Sequence, residues 1–312
     1  MISVVISARN DPIGCLFTAR SLLEEAKRFN ERFEVVIVDN SDNEQDWEML
    51  KLLIDPEYRI KEDIKLIKDK VSCIFTARDL GVYHAKGDHI IILDSHMMLG
   101  RNSLNYFMKC FEEEKDVGVA YGPLVYHNKV EENAFHSRNI YTFAPVQFKE
   151  LKQDHTKIPF RGAPFGFRKD FYQEINGYGA LSEHKFSWGG GDAYLGIKSL
   201  MFGKTNYLIK NFIGIHIGPF KDDPFLYKSS EYERIDNKAR WVGILVAGYI
   251  LGGEELLQAR VNRVRRRLEK FENFDERFLH NVRMLGESER RWIRENAKLT
   301  FKEVQSKWQN VS

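Results

Sequence analysis

The chain has 312 residues, 43% hydrophobic, 13% aromatic and 29% charged, an ordinary composition for a folded globular protein of one large domain or two. Its net charge of +2 conceals an asymmetry: residues 226–312 hold 18 Lys and Arg against 13 Asp and Glu, a net of +5, which leaves −3 for residues 1–225. No stretch reads as the roughly 20 apolar residues of a membrane span. The best candidate, "WVGILVAGYILGG" from Trp241, is short and glycine-rich and predicts a buried helix. The N-terminus shows no basic region followed by a cleavage site, so no secretory signal is expected. Cys15, Cys73 and Cys110 are odd in number and far apart. They point to small buried residues in a reducing compartment, rather than a disulfide framework or a zinc site, and a cytoplasmic location is expected.

In chain order, strand and helix signals alternate. "ISVVIS" reads as a buried strand, and "IGCLFTARSLLEEAKRF" has apolar residues at helical spacing. "FEVVIVDNSD" is a second strand, "NEQDWEMLKLLI" a helix, "IKLIKD" a strand, "DLGVYHAKG" a helix and "HIIILD" a further strand. This βαβαβ order predicts a parallel sheet with helices on its faces, binding ligands beyond the carboxyl ends of the strands. Asp39 and Asp94 both fall there. Residues 117–225 read as strands and loops rich in glycine and aromatics, and from about 226 the chain becomes helical and charged. Neither a Gly-x-Gly-x-x-Gly turn nor a Walker loop follows the first strand, where the sequence runs "SARNDPIG"; nicotinamide and ATP readings lose their main support.

The strand "HIIILDSHMML" ends in Asp94 and His96. Residues i and i+2 of an extended chain point to one side, so carboxylate and imidazole can converge on one ion. That donor pair suits Mn²⁺ better than Mg²⁺. Two protein ligands leave positions open for substrate oxygens, as in a catalytic site. The plainer alternative makes Asp94 a loop cap and His96 a satisfied, partly buried histidine.

"ARDLGVYHAKGDHIIILDSHMML" resembles the family-2-type glycosyltransferases of the GT-A fold, and more specifically the Asp-Ser-His segment of the polypeptide N-acetylgalactosaminyltransferases, where most GT-A enzymes have Asp-x-Asp. "ISVVISARND" and "VVIVDNSD" resemble the family's opening nucleotide-binding strands. "GAPFGFRKDFYQEINGYG" through "FSWGGGDAYLGIKSLMFG" resembles its acceptor-side segment, and "IGIHIGPF" its strand with a further metal-binding histidine. The matches keep the family's order over roughly residues 1–220. The implied architecture is α/β: a Rossmann-like, mostly parallel GT-A sheet with flanking helices over 1–225, and a basic helical extension over 226–312.

The resemblance implies the following roles. Asp39 accepts a hydrogen bond from the nucleotide base; the alternative is a turn-capping carboxylate. Arg78 faces the donor, or else forms a surface ion pair. Asp94, His96 and His216 hold Mn²⁺ together with donor diphosphate oxygens, unless His216 is a core histidine. The cation stabilises the departing nucleoside diphosphate as a Lewis acid. Trp188, Gly190 and Gly191 lie on the acceptor side, with Trp188 a stacking platform or a core residue. Gly191 departs from the Glu expected after Trp-Gly-Gly. Asp192 stands where inverting members have their general base, and would otherwise cap the next helix. The implied activity is metal-dependent transfer of a hexosyl or pentosyl group from a nucleotide sugar, with UDP expected, to an acceptor hydroxyl. The rivals are a nucleotide-sugar-binding protein without turnover and a nucleotidyltransferase, whose glycine-rich first loop is missing. The acceptor is open among a glycan or lipid-linked sugar, a protein side chain and a hydroxylated base in DNA. The run Arg263, Arg265, Arg266 and Arg267 reads as a solvated helix face, a binder of nucleic-acid phosphates or a binder of lipid headgroups. It is expected to hold a polyanion away from catalytic elements that all precede residue 220.

Overall fold

A computed structural model describes residues 1–54, 64–126, 136–138, 145–147, 153–186, 190–217, 230–269 and 274–308. The N-terminal half follows the predicted alternation: β1 (Ile2–Ala8), α1 (Pro12–Ala26), β2 (Phe33–Asp39), α2 (Glu44–Leu53), β3 (Ile64–Lys68), α3 (Ile74–His84) and β4 (His89–Asp94). Then come β5 (Met97–Leu99), α4 (Ser103–Glu113), β6 (Val117–Tyr121), β7 (Leu124–Tyr126), β8 (His136–Arg138), β9 (Pro145–Gln147), β10 (His155–Lys157) and β11 (Phe165–Arg168). Helices α5 (Lys169–Glu174), α6 (Ala180–Glu183) and α7 (Gly191–Met201) precede β12 (Thr205–Ile209) and β13 (Gly214–His216). The C-terminal part is α8 (Ser230–Leu268), α9 (Glu276–Asn296) and α10 (Phe301–Trp308).

The main sheet runs β10-β12-β6-β11-β4-β1-β2-β3, with β11 and β10 antiparallel to their neighbours and the other pairings parallel. Every residue of β1 and β2 is buried, because both faces of the sheet are covered and the β-branched runs pack on each side. The chain steps from β1 to β2 and β3 on one side and returns to β4 on the other, so β1 lies at a topological switch point. Register sets Asp94 beside Ser7 and Asp39 beside Ala8, at one end of the sheet. A small second sheet, β5-β13-β7, pairs His216 with Met97 and so brings β13 against the turn after Asp94.

The C-terminal helices are built into this core. Lys198 of α7 and Glu289 of α9 form an ion pair, Nζ to Oε1 at 2.6 Å, with exposures of 0% and 6%. Tyr194 donates to the same oxygen at 2.9 Å, Asn176 donates to Oε2 at 2.9 Å, and Lys198 also donates to the Gly177 carbonyl at 3.2 Å. The charges are therefore both paired and hydrogen-bonded, as burial requires.

Helix α8 is two helices joined at Gly253, whose φ of 64° and ψ of −148° no helical residue adopts. Arg290 of α9 donates to the carbonyls of Tyr249 (2.9 Å) and Ile250 (3.2 Å), satisfying the end of the first half. A Cβ at Gly253 would come within 2.4 Å of that guanidinium. The halves fold back closely enough that a Cβ on Gly248 would stand 3.0 Å from Arg260 Cγ. By length and hydropathy Lys238–Arg266 does qualify as a membrane-crossing helix, contrary to the sequence reading. The break at Gly253 and the burial of Leu245, Val246, Ile250, Leu256, Leu257 and Val261 set its apolar surface against the protein instead. Removing one partner of a buried ion pair leaves the other charge uncompensated. Glu289→Ala is therefore expected to cost about 3–5 kcal/mol of unfolding free energy, measured by denaturant titration; a loss below about 1 kcal/mol would contradict this account of the α7–α9 junction.

Candidate functional site

A cleft of ≈ 390 Å³ opens at the switch-point end of the sheet. Its walls include Arg78 from α3, Asp94 from the end of β4, Arg161, Gly190, Gly191 and Asp192 from the start of α7, and Trp241, Arg260 and Arg263 from α8. Asp192 lies in the first turn of α7, where the helix dipole favours a carboxylate. The N-cap position of that helix is Gly190, so Asp192 does not fill the capping role considered for it.

The centre is Arg78. Its Nη1 donates to Asp192 Oδ1 at 2.9 Å and to the Tyr178 hydroxyl at 3.0 Å, and its Nη2 donates to Asp94 Oδ1 at 3.1 Å. One guanidinium fork thereby fixes two carboxylates from elements 98 residues apart in the chain, in planar geometry that only arginine offers. Arg78 is 4% exposed. Burial presses its pKa down, but Tyr178, Asp192 and Asp94 outweigh burial and raise it above its ordinary value. The surface ion pair envisaged for Arg78 is thus a buried bridge, and the residue lies inside α3 rather than before a helix.

The Asp-Ser-His turn is held by a residue that sequence reading passed over. Asp11 caps α1 by accepting from the Gly14 amide at 3.0 Å. Its other oxygen accepts from the Ser95 hydroxyl at 2.7 Å and lies 2.7 Å from His96 Nδ1. Burial would raise the Asp11 pKa, yet the bonds from His96 and Ser95 lower it overall, so the group is an ionised acceptor. In the neutral ring, the bond to Asp11 sets the proton of His96 on Nδ1 and leaves Nε2 as the coordinating nitrogen. Thr18 completes the clamp, donating to the Ser95 carbonyl at 2.8 Å and accepting from the Met97 amide at 2.9 Å. The sequence signal for Asp11 was present as the Asp-Pro that starts α1.

His96 and His216 are brought together, ring centroids 4.6 Å apart in an edge-on pair, with Tyr126 5.3 Å from His216. Asp94 does not complete a three-residue cluster. Among the described residues no group of three or more His, Cys, Asp or Glu side chains could hold a metal ion. The physical reason is that Asp94 has Arg78 as its counter-charge. The two imidazoles with a nearby carboxylate nevertheless suit a divalent ion completed by substrate oxygens, and a carboxylate behind a ligating histidine is the usual support of such a ligand.

Asp39 lies one strand beyond β1, buried, accepting from Lys68 at 3.0 Å and Ser41 at 2.5 Å. Gly191 has a packing reason: a Cβ there would come within 2.2 Å of Phe75 Cε1, so the glutamate expected at this position does not fit. Trp188 lies outside the described residues, as does the side chain of Arg267. The arginine run is not one face. Arg260 is buried, Arg263 lines the cleft, Arg265 stands over the Phe274 ring at 5.3 Å, and Arg266 is exposed. The extension is therefore not remote from the site.

The family model for glycosyl transferase family 2 matches residues 3–175. The chain belongs to that family. The matched span includes Asp11, Arg78, Asp94 and His96 and ends before Asp192, so the wall of the cleft formed by the start of α7 and by α8 lies beyond it in this family 2 member. Its fold, GT-A, is similar to that of GalNAc-T7 solved with UDP, GalNAc and Mn²⁺, with a TM-score of 0.68 and 17% identity over 98% of this chain and 56% of that one. The chain thus spans little more than half the length of that neighbour. It is also similar to S. aureus TarS 1–349 solved with UDP-GlcNAc, at TM-score 0.54 and 13% identity over 94% and 90% of the two chains. No curated protein sequence matches.

Lysine carries the charge of arginine without its fork. Arg78→Lys is expected to lose at least one charged hydrogen bond, about 1.5–3 kcal/mol of stability, read from the denaturation midpoint. An unchanged midpoint would mean that the bridge contributes nothing to the fold.

Proposed function

We propose that this family 2 protein transfers a sugar from a nucleotide sugar, with UDP as its nucleotide, to an acceptor hydroxyl with inversion at the anomeric carbon. The observation that carries the reading is the Arg78 bridge, which holds Asp94 and Asp192 on opposite sides of one guanidinium in the cleft. Asp94 then marks the donor side and Asp192 the acceptor side. Arg78 fixes Asp192 Oδ1 and supplies its counter-charge, and the carboxylate takes the acceptor proton as the new bond forms. The UDP and UDP-GlcNAc in the two solved neighbours support the donor assignment.

His96 and His216 would hold Mn²⁺ with donor oxygens, Asp94 being held by Arg78 beside them, in keeping with the Mn²⁺ of GalNAc-T7. When bound, the cation neutralises charge developing on the leaving diphosphate. The chain's own part is to orient: Asp11 fixes the His96 ring, Thr18 fixes the turn, and Arg78 fixes Asp94.

Asp192→Asn is expected to retain UDP binding, measured by calorimetry, and to lower transfer by about 10²–10⁴-fold. A product with the donor's anomeric configuration by NMR would remove the general-base role. For the metal, Asp11→Asn should weaken Mn²⁺-dependent UDP binding by about 10–100-fold through loss of support to His96. Undiminished donor hydrolysis by the wild-type protein in excess chelator would overturn the metal assignment.

A further inference from the structure

Arg78 donates to two carboxylates and to a phenol, and the phenol has a place of its own in the site. A guanidinium Nη has two N–H bonds to give. Nη1 gives to Asp192 Oδ1 at 2.9 Å and to the Tyr178 hydroxyl at 3.0 Å, while Nη2 serves Asp94. The edge of the fork that holds Asp192 is thus the edge that Tyr178 anchors. A neutral acceptor suits this position. Burial raises the Tyr178 pKa and outweighs the opposing charge of Arg78, so the hydroxyl keeps its proton. It takes a hydrogen bond without cancelling the guanidinium charge, which is left to the carboxylates. A third carboxylate there would compete with them for that charge.

The hydroxyl is held from behind. Tyr178 is fully buried, its ring centroid 5.0 Å from that of Phe75 on α3 and 6.2 Å from that of Tyr172. The chain on either side of it rests on the buried Lys198–Glu289 pair. Asn176 donates to Glu289 Oε2, and the Gly177 carbonyl accepts from Lys198. A Cβ on Gly179 would come within 2.4 Å of Glu289 Oε1. Gly177 and Gly179 have φ of 39° and 47°, values that glycine adopts without a Cβ penalty. A run of contacts therefore leads from α9, through residues 176–179, to Arg78 and Asp192.

We propose that Tyr178 is a positioning residue for the acceptor step: its hydroxyl sets the Nη1 edge of Arg78, and through it the orientation of the Asp192 carboxylate, on the footing that α9 supplies. This rests on the transferase reading, in which Asp192 takes the acceptor proton. Asp94 keeps its own bond from Nη2, so donor binding does not depend on the phenol.

Tyr178→Phe retains the ring and its packing and removes only the acceptor. Its kcat for UDP release, with water as the acceptor, is measured on whichever of UDP-glucose, UDP-galactose, UDP-GlcNAc and UDP-GalNAc the full wild-type chain turns over fastest. That kcat should fall about tenfold or more, with KM for the donor and the affinity for UDP in Mn²⁺ at wild-type values. In the Asp192→Asn background the same change should cost nothing further, because residues that act as a unit are non-additive. Tyr172→Phe is the control. It removes the hydroxyl bond to Asp79 from a neighbouring buried tyrosine that does not bond to the fork, and should lower the melting temperature while leaving kcat alone. The positioning role is overturned if Tyr178→Phe leaves kcat unchanged, lowers it additively with Asp192→Asn, or lowers it no more than Tyr172→Phe does. If Asp192→Asn alone turns over the donor at the wild-type rate, or the wild-type chain releases UDP from none of the four sugars, the transferase reading fails instead, whatever Tyr178→Phe does.

Discussion

Everything in the cleft depends on one buried guanidinium. Arg78 sits on α3 with almost no solvent contact and donates to Asp94, Asp192 and Tyr178. Removing a guanidinium from water is costly, and only well-placed acceptors make the burial tolerable. The same contacts prevent two neighbouring carboxylates from repelling each other. The end of β4 and the start of α7 thus belong to one site because α3 passes beneath both, and α3 is placed by packing on β1 and β2.

A second constraint fixes the other wall. The Lys198–Glu289 pair ties α9 to α7, and Arg290 on α9 closes the first half of α8 at the Gly253 break. A single C-terminal helix thereby positions both the segment that carries Asp192 and the hairpin that carries Arg240, Arg260 and Arg263. The extension is part of the cleft: Arg263, expected to act at a distance from the catalytic elements, lines it together with Arg260.

The turn after β4 shows how support can matter as much as the functional side chains. Asp11 joins the N-terminus of α1 to Ser95 and His96, and Thr18 on the same helix holds the turn's backbone from the other side. His216 arrives on a separate small sheet, through the pairing of β13 with β5. Asp94, by contrast, faces the arginine, and that division explains why the carboxylate and the two imidazoles do not form a closed cluster among the described residues.

The sequence by itself determined the alternation of buried strands and helices, the placement of Asp39 and Asp94 at the carboxyl ends of β2 and β4, and the resemblance to the family 2 glycosyltransferases. These are local signals: apolar runs, helical spacing and short motifs that one stretch of chain expresses unaided. It also marked Gly191 as a departure without the reason, which is the Phe75 ring contributed by another helix. Only the tertiary structure decided that Arg78 is a buried bridge, that Asp11 supports His96, and that α8 breaks at Gly253 to bring Arg260 and Arg263 into the cleft. Each of these depends on contacts between packed elements, such as Arg78 with Asp192 or Asp11 with His96, set by burial and charge matching that no short motif expresses.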